Sequence, residues 1–322
     1  MWDLSVGASC WRAATLEDGT LMIADWGDKA GGIYLMDPAH PETRTPLFKG
    51  TQNTASGEIT NEAGQVIAGS TPGMWALGSG ENQVLYSFQE DYPSDYKMSM
   101  VSYNIGTAHE ITTVPEKTYP ILASMMLNGN VNVVAKPQAL FLSQTRGSGN
   151  NAKAVPVFLI ADYEENILFN SGADLESLTG GDGALAVNHD ASLMAFTDVS
   201  ENVHVMKLIW APAFKCEELY SFSLGTTADT YQMAFDRAGR LYVANRAFNA
   251  VYAIPQNASQ AVTTSDWTMR GTSGVGNVLL GDDSDAPIEY FNLQGIRVGS
   301  ENLTPGIYIR RQGSQAIKVL VQ

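Results

Sequence analysis

Cysteine is almost absent from this chain: 322 residues contain two, Cys10 and Cys216. That excludes a disulfide framework and any cysteine-rich zinc site. Basic residues are also scarce, 19 Lys and Arg against 34 Asp and Glu, for a formal net charge of −15. Nucleic-acid binding needs clustered Lys and Arg, so this balance speaks against it, and equally against docking on anionic membranes. No apolar run approaches the roughly 18 residues of a membrane-spanning helix. The opening Met1-Trp2-Asp3-Leu4 has neither the basic segment nor the apolar run of a signal peptide. A start inside strand-like sequence, Trp2 to Trp11, points to a chain trimmed upstream or lacking its leader. Helical periodicity is nearly missing as well.

What is present is β sequence. Short apolar runs are separated by Gly, Asn and Asp, with 30 glycines and 13 prolines to break them. One phrase recurs. Its clearest copy runs from Tyr231 to Asn245, followed by Ala250 to Pro255, and an N-terminal copy from Cys10 to Asp25, followed by Gly32 to Asp37. Each places a glycine, Gly19 or Gly239, in a tight turn that needs positive φ, just before a second strand. Weaker copies start near Met74, Ile121 and Ala184, with second strands predicted over Gln83–Phe88, Ala139–Ser143 and Leu193–Thr197. Starts 47 to 64 residues apart are within reach of the four-stranded blade spacing of a β-propeller. The prediction is all-β: a β-propeller of five recognisable blades, plus a short three-stranded β segment at the C-terminus. A sixth blade is counted if residues 51–72 form a degenerate blade instead of an inserted hairpin. A β-sandwich is the competing architecture, but it leaves the recurring Gly-x-Leu-x-x-Ala-Asp/Asn phrase unexplained.

The two best copies, Asp18-Gly19-Thr20-Leu21-Met22-Ile23-Ala24-Asp25 and Ala238-Gly239-Arg240-Leu241-Tyr242-Val243-Ala244-Asn245, resemble the repeats of NHL and SMP-30-type propellers. The likeness covers about 20 residues at each place and implies fold far more than activity. SMP-30-type propellers hold a divalent metal in the channel mouth through Glu, Asn and Asp and hydrolyse lactones. The resemblance implies Asn245 and Asp198 as two such ligands. It supplies no Glu at the corresponding first-strand position, where this chain has Cys10 and Trp11, and the activity does not carry over there.

The last segment has its own character. Residues 287–322 hold four basic residues and two acidic ones, a net of +2, which leaves −17 on the preceding 286. Tyr290-Phe-Asn-Leu-Gln-Gly-Ile-Arg297, Pro305-Gly-Ile-Tyr-Ile309 and Lys318-Val-Leu-Val321 resemble the C-terminal tail of exported Bacteroidetes proteins, in the style of type IX secretion sorting domains. At about half the usual length, the tail implies an extracytoplasmic origin more than an active sorting signal. The expected division is a propeller over 1–282 and a linker with its β tail over 283–322. Gly281 to Pro287 reads as the linker.

Catalytic motifs are missing. There is no phosphate-binding Gly-Lys-Ser/Thr loop, no His-Glu-x-x-His, no Cys-x-x-Cys and no Gly-x-Ser-x-Gly. Gly7-Ala-Ser-Cys10-Trp11 resembles the nucleophile motif of papain-like proteases, which needs a helix after the cysteine and a suitably spaced histidine. Here a strand-like run follows and His189 lies 179 residues on, so Cys10 reads as a strand cysteine. The four histidines, His40, His109, His189 and His204, sit singly in separate segments. The run Asp282-Asp283-Ser-Asp285 suits calcium by its oxygens but lacks the Gly and distal Glu of a calcium loop, so it reads as solvated linker.

Propeller geometry narrows the search. First-strand starts and second-strand ends of all blades converge on one mouth. Here those positions hold Trp11, Arg12, Trp75, Tyr231 and, from the second strands, Asp25, Trp26, Glu90, Asp91, Asp198, Asn245 and Arg246. Aromatic and acidic groups together suit sugar rings and hydroxyls. The plain alternative is that the aromatics fill blade interfaces and the Asp and Asn residues cap loops. The expected function is a secreted or periplasmic non-enzymatic binding module for a glycan or a protein surface. No cofactor is expected, a divalent cation such as calcium being the one exception. A metal-dependent hydrolase of the lactonase kind is the alternative.

Overall fold

The computed structural model describes residues 10–25, 32–40, 43–53, 56–91, 97–126, 131–144, 158–171, 180–198, 202–223, 232–245, 250–254, 268–269, 287–292, 297–300, 303, 306–312 and 315–321. Blade I comprises β1 (Cys10–Thr15), β2 (Leu21–Asp25), β3 (Gly32–Met36) and β4 (Thr45–Pro46). A small meander follows, β5 (Thr51–Gln52), β6 (Ile59–Thr60) and β7 (Val66–Ala68). Blade II is β8 (Ser70–Leu77), β9 (Val84–Asp91), β10 (Lys97–Asn104) and β11 (Lys117–Thr118). A short helix α1 (Pro120–Met125) leads to blade III, β12 (Val131–Lys136), β13 (Ala139–Gln144), β14 (Phe158–Ala161) and β15 (Ile167–Asn170). Blade IV is β16 (Gly180–Val187), β17 (Leu193–Asp198), β18 (Asn202–Ile209) and β19 (Lys215–Ser223). Blade V is β20 (Gln232–Phe235), β21 (Leu241–Asn245), β22 (Ala250–Ile254) and β23 (Thr268–Met269).

Each blade is a four-stranded antiparallel sheet whose spatial order follows the chain. The inner strands β1, β8, β12, β16 and β20 are neighbours in succession, and one axial cavity touches all five. The chain is therefore a β-propeller with five blades among the described residues. Residues 51–68 are an inserted three-stranded meander and not a sixth blade. Its Ile59, Ile67 and Ala68 join the apolar cluster between blades I and II. Tyr103 ties it down, donating its hydroxyl to the Ile67 carbonyl at 2.6 Å while accepting from Gln89 Nε2 at 2.8 Å.

One local turn explains why so many of these hairpins form. At Asp236 the Gly239 N–H bonds back to the Asp236 carbonyl and the Arg240 N–H to Asp236 Oδ1, with Gly239 at φ 76°. Asn61 makes the same bonds to Gly64 and Gln65, with Gly64 at φ 77°. Asp162 and Asn188 repeat them with Glu165 (φ 66°) and Ala191 (φ 55°) in the left-handed place. The short acceptor side chain mimics a backbone carbonyl and fixes the reversal locally. Blade I varies the device: Leu16 takes the first place and Asp18 accepts from the Thr20 N–H, with Gly19 at φ 90°.

The core lies between blades. Four buried clusters fill the interfaces I/II, II/III, III/IV and IV/V in turn. Blade III, covered on both faces, has β12 buried throughout except Lys136 and β13 buried without exception. Its strands accordingly read as continuous apolar runs without alternation. The weak copy expected to begin near Ile121 thus starts later, at Val131, and Ile121 belongs to α1. Glu165 Oε1 accepts the Ile121 and Leu122 N–H groups at 2.8 and 3.0 Å, satisfying two donors at the start of that helix.

The C-terminal sheet has four strands instead of three: β24 (Ile288–Phe291), β25 (Arg297–Val298), β26 (Gly306–Gln312) and β27 (Gln315–Val321), ordered 25-24-26-27. The run expected as one strand over 288–298 is two, because Tyr290 pairs with Val298 and Phe291 with Arg297. Asn292, a turn-favouring residue, directly follows the first of the two.

Candidate functional site

The inner strands enclose a cavity of about 340 Å³ on the propeller axis. Its lining includes Arg12 to Thr15 of β1, Met74 and Trp75 of β8, Asn132 and Lys136 of β12, Leu185 to Val187 of β16 and Gln232 to Phe235 of β20. His189, Asp236 and Arg237, from the turns that follow β16 and β20, and Leu21 at the start of β2 also line it. The cavity thus reaches the ends of the inner strands, the face opposite the mouth at which first-strand starts converge. Half-buried Trp75 packs against three of the interblade clusters at once and so stands near the axis as a floor. Lys136 Nζ lies 5.6 Å from the centre of its ring, in cation–π range.

The charges in this cavity are of two kinds. Asp236 is already engaged: its Oδ2 receives Arg240 Nε at 2.8 Å and the Tyr242 hydroxyl at 3.3 Å, and these bonds hold its carboxyl below the usual range against the opposing effect of burial. Lys136 is different. Burial pushes its ammonium pKa down, and Asp190, the carboxylate that acts on it, opposes this only from a distance. Asp190 itself is occupied by the Ser192 hydroxyl at 2.7 Å and the Ser192 N–H at 3.1 Å.

A second polar cluster sits at the outer part of blade IV. His204 Nδ1 is 2.8 Å from Glu218 Oε2 and Nε2 is 3.2 Å from Asp198 Oδ2, while the imidazole stacks on Phe196 at 5.0 Å. Asp198 also accepts the Asn202 N–H at 2.9 Å and Nδ2 at 3.0 Å. Burial disfavours the imidazolium, but the two carboxylates outweigh it and raise the His204 pKa above 6.5. The Asp198 carboxyl is lowered, burial again being outweighed by His204 and Asn202. A group with a raised folded pKa contributes stability below its unfolded value and loses it as pH rises through the folded one. The Asp198 contribution, conversely, is present above about pH 3.8 and is lost on further acidification. We therefore expect the melting-temperature gap between the native chain and His204→Gln to be wider at about pH 6 than at about pH 9. A gap independent of pH would mean that the imidazole is neutral in the folded chain.

The residues singled out from sequence fall into three groups. Arg12 and Trp75 line the axial cavity, where Arg12 is 2% exposed. Asp198 lies at the end of β17 in the His204 cluster. Trp11, Asp25, Glu90, Asp91 and Asn245 lie in β1, β2, β9 and β21, with side chains outside the described set. Trp26, Tyr231 and Arg246 lie outside the described residues, as do the linker at 281–286 and its acidic run. Cys10 opens β1, so a strand and not a helix follows it. Among the described residues no three His, Cys, Asp or Glu side chains group as a metal site. No helix there is long and apolar enough to cross a membrane. Sequence reasoning missed Asn132, Lys136, His189 and Arg237. A signal existed for two of them, since His189 and Arg237 each follow the acceptor residue of the shared turn, Asn188 or Asp236.

Fold and cavity together define the class: a β-propeller, five-bladed among the described residues, with a cavity on its axis. No protein-family model and no curated protein sequence matches the chain. Among solved structures it is similar to virginiamycin B lyase from Staphylococcus aureus, at 11% identity over 98% of this chain and 85% of that one, with a TM-score of 0.40. It is similar to the Cps50 (Swd1) β-propeller domain of Myceliophteria thermophila, at 10% identity over 98% of each chain and a TM-score of 0.44. A luciferin-regenerating enzyme gives 12% identity over 88% of this chain and 87% of that one, with a TM-score of 0.46. Likeness at this level carries nothing about activity, and the propeller assignment rests on the chain's own topology.

Proposed function

We propose that this chain is an exported, non-enzymatic binding propeller that takes a sugar into its axial channel. The observation that carries the reading is the axial cavity itself. At about 340 Å³ it lies at the small end of the range of ligand pockets, which favours a small molecule over a protein surface. It combines the Trp75 indole with the polar groups of Arg12, Asn132 and Gln232. An indole face and a few fixed polar groups are what a saccharide ring with its hydroxyls requires. Trp11, Trp26 and Tyr231, singled out by their positions in the sequence repeat, are candidates to extend the site. Export rests on the resemblance of the C-terminal strands to Bacteroidetes sorting segments, with the propeller over 1–282 and the tail over 283–322. The NHL and SMP-30 likeness belongs to the same proposal as a statement about the repeat, not about chemistry.

A metal-dependent lactonase is the second reading. It needs Asp198 as an open ligand, and Asp198 is committed to Asn202 and His204. Calorimetric titration of the full chain with glucose, galactose, mannose and their disaccharides tests the proposal. We expect saturable binding with one site per chain, weakened at least about tenfold in a Trp75→Ala chain that still melts cooperatively. Absence of binding across the series overturns the proposal. So does hydrolysis of gluconolactone by the chain supplied with calcium, magnesium or zinc.

A further inference from the structure

Cations are rare in this chain, yet they gather at the axis. Among the described residues Arg12, Lys136 and Arg237 line this cavity against one acidic side chain, Asp236, although the whole chain holds 34 Asp and Glu to 19 Lys and Arg. Proportion alone would have put more acids than bases there. The single carboxylate is neutralised where it stands, by Arg240 at 2.8 Å. Lys136 meets the Trp75 ring, and Asp190, the carboxylate that acts on it, is hydrogen-bonded to the Ser192 N–H and hydroxyl. Arg237 is exposed at the rim on the turn after β20, and His189 holds the matching place after β16. Among the described lining residues the balance of charge is thus positive, in a chain whose net charge is −15.

We propose that the axial cavity selects an acidic sugar, a uronic acid, with Lys136 and Arg237 receiving its carboxylate and the Trp75 indole its ring. This rests on the sugar-binding reading above and names the class of sugar. A ligand group bonded to Lys136 Nζ is within reach of the indole, because the ammonium already lies 5.6 Å from the ring centre. Burial makes the ammonium costly, Asp190 offsets this only in part, and an incoming carboxylate offsets it further by pairing with it. The surrounding negative charge of the chain disfavours anions elsewhere on the surface, so selectivity is confined to the axis.

Glucose and glucuronate share a ring and differ at one carbon, which makes them the decisive pair. Calorimetric titration of the full chain is expected to show glucuronate binding at least about tenfold tighter than glucose at low ionic strength. Raising sodium chloride from about 50 to 500 mM should erode most of that preference while leaving glucose unchanged. Lys136→Gln should bring glucuronate down to the glucose level, and Lys136→Arg should retain much of the preference. Arg237→Gln, at an exposed position that cannot unfold the chain, should weaken glucuronate severalfold and glucose not at all. Equal affinities for the two sugars would overturn the acidic class and leave sugar binding standing. Glucuronate binding unaffected by both Lys136→Gln and Arg237→Gln would overturn the assignment of the carboxylate site. Binding of neither sugar would overturn both proposals.

Discussion

Phe196→Ala is expected to destabilise the chain by about 3–5 kcal/mol, with a fall in melting temperature of order 10 °C. Phe196 is fully buried on β17, in the interface between blades III and IV. Its ring centre lies 4.6 Å from that of Phe158 on blade III, and its other neighbour is the His204 imidazole at 5.0 Å and 11°. Truncation removes the ring's transfer free energy and leaves a cavity bounded by two hydrogen-bonded sheets. Sheets cannot collapse around a void as a lone helix can, so the loss should fall in the upper part of the range. The imidazolium loses its stacking platform too, so the pH dependence carried by His204 should shrink in the same variant. Urea unfolding of native chain and variant measures the first effect, and repeating it at two pH values measures the second. A loss under about 1 kcal/mol would mean that the interface repacks freely.

Most of the architecture was legible because its causes are local. The turn at Asp236 and Gly239 is built from side-chain acceptors and a positive φ that nearby residues supply by themselves. Strands flanking such turns alternate or run apolar, and blades I and V announce themselves through Gly19 and Gly239. Blade III was harder to place. Strands β12 and β13 are buried on both faces, so period-two alternation is lost, and no glycine marks the Pro137-Gln138 turn between them. Residues 51–68 carry the same turn at Asn61 as a blade would, yet their strands are only two or three residues long. Turn chemistry alone does not distinguish a meander from a blade.

The site was legible in part and for the opposite reason. Arg12 and Trp75 are expected at first-strand starts around one mouth; Arg12 is the third residue of β1, but Trp75 is the sixth of eight in β8, towards its end, and both line the cavity. Lys136 and Arg237 lie at the other ends of the inner strands, and only the succession of blades around the axis brings them to one cavity from chain positions about a hundred residues apart. Asp198 shows how a repeat position misleads. Its place at the end of β17 matches that of Asp25 at the end of β2, but Asn202 and His204, four and six residues on, take up its carboxylate.

Gly73→Ala is the second large effect, and it connects the fold to the site. Gly73 lies on β8, against the backbone of β12 in blade III. A Cβ placed there would stand 2.6 Å from the Val131 carbonyl oxygen and 3.2 Å from its carbon. Both are backbone atoms of β12, which have no rotamer to yield, so the two strands must separate. Overpacking of this kind costs about 1–3 kcal/mol or more. Gly64→Ala is the natural control: its φ of 77° strains an alanine, but nothing lies within 4 Å, so its cost should stay near 1–2 kcal/mol. The same displacement moves β12 relative to β8, and these strands carry Lys136 and Trp75. Gly73→Ala should therefore weaken ligand binding at the axis at temperatures where the chain is still folded, while Gly64→Ala, on the meander, should leave it unchanged. Comparable binding by both variants would place the ligand away from the β8–β12 contact.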